Sequence, residues 1–192
     1  MAFEIPDDLS PEVYPLAWLL GSWRGQGVLD YPGIDAAPFV SDVTFDHDGG
    51  PYLRFVSTVR VLDAPVPEVG PDGAPLAPVP GADDPTAGTV WSTETGYWRV
   101  ASERPEGLAE GRFPLEVLLA DAAGRVSVYL GVVGNGRVDL ASDLIARTGT
   151  AAEVGASKRL FGLVEGDLLW IQEIAAFGHP MQSYASARLV RQ

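Results

Sequence analysis

From about residue 38 to its end, the chain alternates apolar and polar side chains in short runs broken by Gly, Pro and Asp. That rhythm leaves few folds open, because a period of two suits a half-buried strand and no helix. In "YLRFVSTVRVL" (52–62), Leu53, Phe55, Val59 and Val61 share one face, while Arg54, Thr58 and Arg60 lie on the other. "PLEVLLAD" (114–121) and "GRVSVYLGVVG" (124–134) read as a second pair. "GNGRVDLASDLIA" (134–146) opens on a Gly-Asn-Gly turn, a strong hairpin signal. "SKRLFGLVEGDLLWIQEIAAFG" (157–178) is two strands hinged at Glu165-Gly166-Asp167, and "PMQSYASARLV" (180–190) closes the chain. Eight to ten antiparallel strands with short turns predict an all-β barrel or sandwich. Only the start reads as helical. Ser10-Pro11-Glu12 is a cap with proline at the first helical position, and Pro15 limits the helix to a turn or two before Gly21.

One stretch breaks the rhythm. Residues 63–89 hold seven prolines and four glycines with few large apolar groups, which predicts a mobile insertion loop between two strands. The 192 residues therefore read as a single domain, with 1–14 as a lead and 63–89 as an insertion.

Composition narrows the function. A net charge of −13 repels phosphate backbones and anionic lipid, so neither nucleic acid nor a membrane surface is an expected partner. Cysteine is absent, and no signal peptide or membrane-length apolar run is visible, which predicts a cytoplasmic protein. With two histidines and no thiolate, a closed metal site would rest mostly on carboxylates, so none is expected. His47, between two aspartates in "FDHDGGPYL", reads as part of a hydrated hairpin turn. No GxSxG elbow, P-loop or HExxH is present.

"LLGSWRGQGVLDYPGI" (19–34) is the most distinctive segment. Gly21, Gly25 and Gly27 flank Trp23 where the short helix hands over to the first strand, a place for close backbone approach and a space-filling indole. These residues resemble the GxWxGxG and YPxI pattern of the nitrobindin family, small β-barrels similar to fatty-acid-binding proteins. "VTFDHDGGPYLRF", "STETGYWRV" and the ending "GHPMQSYASARLVR" are similar to further motifs of that family, in order, over about 16–62 and 91–191. The resemblance implies a ten-stranded antiparallel barrel with a pocket at one end. In the family that pocket holds haem b on a histidine of the last strand, and is associated with nitric oxide binding and peroxynitrite isomerisation.

Laid on the family's "PLQxHLxAxL", the segment "PMQSYASARL" puts Tyr184 where the ligand histidine belongs. His179 falls before Pro180, of opposite parity and about 16 Å away along an extended chain. Haem b is therefore not the expected cofactor, and the isomerase activity is not carried over. The expectation is a barrel whose pocket takes a small apolar or amphipathic ligand, with Trp23 as plug. The alternatives are a ferric haem protein ligated by Tyr184 and an interaction module presenting the 63–89 loop. Pattern alone turns Met181, Ala185, Ala187 and Leu189 inward. The resemblance instead turns Gln182, Tyr184, Ser186 and Arg188 toward the pocket, and His179 joins them as a pocket candidate at its rim.

Overall fold

The computed structural model describes residues 5–192 apart from residue 72. Residues 1–4 of the expected N-terminal lead lie outside the described residues. A 3-10 helix, Pro11–Leu19, leads into ten strands. They are β1 (Gly21–Tyr31), β2 (Ile34–Asp46), β3 (Leu53–Val61), β4 (Thr89–Val100) and β5 (Phe113–Asp121), then β6 (Arg125–Gly134), β7 (Arg137–Arg147), β8 (Val154–Val164), β9 (Asp167–Ala176) and β10 (Gln182–Arg191). Each pairs with its sequence neighbour, and β1 pairs with β10, so the sheet closes into an antiparallel barrel without free edges. The expected Gly-Asn-Gly hairpin joins β6 to β7, with Asn135 at φ 55° and Gly136 at φ 67°. Ser10 precedes the helix as expected, but its hydroxyl donates to the Glu12 carboxylate at 2.5 Å instead of accepting from the helix backbone.

The two ends of the barrel differ. At one end the helix packs Val13, Leu16 and Leu19 against the core. Trp23 is buried there, donates its indole N–H to the Leu19 carbonyl at 2.8 Å, and carries the Arg191 guanidinium over its ring at 4.0 Å. Beside it Trp98 meets Phe45, Phe55 and Phe161 at centroid distances of 5.1–5.6 Å. The first-strand glycines follow from β1–β10 contact. A Cβ on Gly25 would lie 2.0 Å from the Arg188 carbonyl oxygen, and one on Gly27 would lie 2.2 Å from that of Ser186. At the other end the walls stand apart and enclose a cavity.

The described residues of 63–89 leave the cavity end but fold back along the outside of β1, β2 and β10. Arg24 donates to the carbonyls of Ala82 and Asp84, Gln26 accepts from the Val79 amide at 2.6 Å, and Ser186 donates to the Gly73 carbonyl at 2.6 Å. Val79 is buried with Val40 and Leu62. This explains why β2 is buried at 39, 40 and 41 in succession: Phe39 and Ser41 face the barrel interior, and Val40 faces the insertion. The segment has an apolar anchor that its composition hid.

Candidate functional site

The cavity measures about 490 Å³, within the range of small-molecule sites. Leu29, Ile34, Phe39, Val43, Phe55 and Trp170 form much of its apolar wall. Its polar groups come from strands on different sides of the barrel. Glu94 (β4) and Arg159 (β8) meet across the interior in a bidentate pair, with Nη1–Oε2 at 2.6 Å and Nη2–Oε1 at 2.5 Å. Arg159 Nε donates to the Tyr129 hydroxyl at 3.2 Å. Burial works against the Arg159 charge, but the Glu94 carboxylate, aided by Tyr129, outweighs it and holds the guanidinium well above its ordinary value. Nearer the mouth, Arg125 Nε pairs with Asp121 at 2.7 Å.

Two of the register shifts toward this end, in β10 and β4, shape the mouth. On β10 the register steps from Ser183↔Glu173 to Ala185↔Gln172, which leaves Tyr184 as the extra residue. On β4 it steps from Val59↔Ser92 to Arg60↔Val90, which leaves Trp91 as the extra residue. A bulge re-aims a side chain, and these two aim their residues at each other: the Trp91 indole N–H donates to the Tyr184 hydroxyl at 2.6 Å. Burial, the largest influence, pushes the Tyr184 phenol up; the hydrogen bond from Trp91 works in the opposite direction.

The bulge also settles the parity conflict on the last strand. Tyr184 and Ala185 both line the cavity. Beyond the bulge the pattern reading holds, with Ala185, Ala187 and Leu189 buried inside. Arg188 is outside, where Nε pairs with Asp167 at 2.7 Å and Nη2 reaches Glu165 at 3.4 Å. Ser186 is outside against the insertion. The expectation that Ser186 and Arg188 turn inward with Tyr184 is corrected, because an extra residue reverses which side every later side chain takes. Gln182 lies at the strand end, donating to the Pro180 carbonyl at 3.4 Å, and does not line the cavity.

His179 is exposed and also absent from the cavity lining. A turn with Phe177 at φ 53° and Gly178 at φ 79° precedes it, and the chain between it and Tyr184 bends at Met181. Tyr31 consequently meets both rings, His179 at 6.1 Å and Tyr184 at 6.0 Å between centroids. His47 lies in the β2–β3 turn with Nε2 3.8 Å from Asp8, at the plugged end. Among the described residues no group of three or more His, Cys, Asp or Glu is placed to hold a metal ion, and the cavity lining contains no His, Cys or Met. No described helix is long and apolar enough to cross a membrane.

Glu94, Arg159, Tyr129 and Trp91 were not singled out from the sequence. A signal existed for two of them. Glu94 is in phase with inward Trp98, and Arg159 with inward Phe161, so each is a charge on an apolar face.

Residues 12–191 match the family described as "THAP4-like, heme-binding beta-barrel domain". The chain is 48% identical to a "ferric nitrobindin-like protein" of Beutenbergia cavernae, over 100% of this chain and 99% of that one. It is 41% identical to a "peroxynitrite isomerase" of Parafrankia sp., over 96% of this chain and 81% of the relative. The crystal structure of Rv2717c from M. tuberculosis superposes with a TM-score of 0.69 at 27% identity, covering 96% of this chain and 99% of that one.

Proposed function

The chain belongs to the THAP4-like, heme-binding β-barrel family, and from that premise we propose that this member uses its cavity for a small apolar or amphipathic ligand and does not hold haem b through the family's histidine. The observation that carries this reading is that Tyr184 lines the cavity and neither histidine does. The resemblance of the last strand to the family's motif puts Tyr184 in the place of the ligand histidine, which supports the same reading. Ferric haem accepts a phenolate, so the chemistry of Tyr184 decides the fit. An ordinary phenol costs about 4 kcal/mol to ionise at pH 7. Burial moves Tyr184 further from ionisation. Its oxygen also already accepts the Trp91 hydrogen bond. The donor set does not suit haem iron, and the peroxynitrite isomerase activity named for the Parafrankia relative is not assigned to this chain.

The test is haem titration of the purified protein, followed between about 380 and 650 nm, where haem bound to protein displays its Soret and visible bands. Wild type is expected to bind haem weakly, and Tyr184→His to bind it at least about tenfold more tightly, since a neutral imidazole needs no ionisation. A tight, stoichiometric ferric spectrum in wild type that Tyr184→Phe abolishes would establish tyrosinate ligation instead.

A further inference from the structure

The cavity offers an arrangement whose chemistry points in one direction and whose wiring points in another. A guanidinium beside a phenol in an apolar chamber is the group set that recognises a carboxylate, because the planar fork donates to both oxygens at once. In this chamber a carboxylate of the protein itself already occupies the fork. Both terminal nitrogens of Arg159 donate to Glu94 at 2.6 and 2.5 Å, and its Nε–H donates to Tyr129. Arg159 is 8% exposed, so salt and water screen the pair weakly. The second charged pair in the lining, Arg125–Asp121, is likewise neutral in sum.

Beside these two neutralised pairs stand uncharged donors. The Tyr129 hydroxyl accepts from Arg159 and the Tyr184 hydroxyl accepts from Trp91. Neither hydroxyl proton has an acceptor among the described residues. Each can donate to a ligand oxygen, and the Ser57 and Ser127 hydroxyls share the lining.

We propose that the cavity selects an uncharged amphiphile, an apolar body with a hydroxyl- or carbonyl-bearing end, and that Glu94 determines this specificity by occupying Arg159. The proposal rests on the small-ligand reading above and names the ligand class. An anionic ligand must approach the Glu94 carboxylate in a poorly screened interior, where like charges repel strongly. A cationic one meets Arg159 in the same way.

The test measures displacement of the neutral dye Nile red by three ten-carbon ligands at pH 7.5: decan-1-ol, decanoate and decylamine. Wild type should bind decan-1-ol more tightly than either charged ligand. Glu94→Gln frees the guanidinium and should tighten decanoate by about tenfold or more, while decan-1-ol changes little. Arg159→Gln frees the carboxylate and should do the same for decylamine. Either variant that folds, judged by its circular dichroism, is sufficient, since an unpaired buried charge can cost one of them its fold. Wild type taking a charged ligand as tightly as decan-1-ol would overturn the proposal, as would a folded variant with unchanged preference. In both cases the small-ligand reading survives. Failure of wild type to take up Nile red or any of the three ligands would overturn the reading and the proposal together.

Discussion

The two ends of the barrel use the same residue types in opposite ways. At the plugged end Trp98 is fully buried among Phe45, Phe55 and Phe161, with the helix lying over the opening. At the cavity end Trp91 is 46% exposed and uses its N–H to hold Tyr184 across the mouth. The plugged-end strands are regular, so alternation alone directs their side chains inward; the mouth carries bulges in β4 and β10. Close packing leaves no freedom and stabilises. Bulged, half-open packing contributes less stability and leaves polar groups addressable. The barrel thus separates the end that holds the fold from the end that meets the ligand.

The largest expected effect tests the structural end. Trp98→Ala removes an indole that three aromatic rings pack around. The expected loss is about 3–5 kcal/mol in urea unfolding. The same change at Trp91 is expected to cost well under half of that, because the half-exposed ring leaves a site that water fills. Equal losses at the two tryptophans would break the comparison.

A second, smaller effect sharpens it along β1. Gly27→Val places a branched side chain where the Ser186 carbonyl oxygen would be 2.2 Å and the Phe39 ring 2.5 Å from the new Cβ. The backbone of β10 must retreat, at an expected cost of about 1–3 kcal/mol in the same assay. Phe39 lines the cavity, so the variant should also alter ligand binding. Unchanged stability would mean that β1 and β10 approach each other less closely than the register indicates.

The strands and the plug were legible in the sequence for a physical reason. Period-two alternation and Asn-Gly turns are local signals, and glycines on either side of Trp23 mark a close approach whatever the partner. The polar contents of the cavity are not local. Glu94 and Arg159 are 65 residues apart and meet only when the barrel closes. The bulges at Trp91 and Tyr184 have no mark in composition, so strict alternation aimed later residues of β10 correctly and Tyr184 wrongly, while the family resemblance did the reverse. The insertion carries an anchor that its proline-rich composition does not reveal. One valine, Val79, together with hydrogen bonds from Arg24 and Ser186 and one to Gln26, lays it along the barrel wall.

The smallest effect bears most directly on function. Tyr184→Phe keeps the ring against Tyr31 and removes only the hydroxyl that accepts from Trp91. Because water takes over at the half-exposed indole, the expected cost near pH 8 is about 1 kcal/mol or less. Its pH dependence is more informative than its size. Burial raises the folded phenol above its ordinary value near 10, so above that pH the unfolded chain releases its proton first. The tyrosine's contribution is then fully present below about pH 10 and is lost as pH rises through the higher folded value. Wild type should therefore lead the phenylalanine variant by a constant margin from about pH 7 to 9, and the margin should close above about pH 10. If the margin widens instead, Arg125 and Arg159 stabilise a phenolate more than burial penalises it. The mouth of the barrel would then be built to ionise Tyr184, and tyrosinate ligation of ferric haem would displace the neutral-ligand reading.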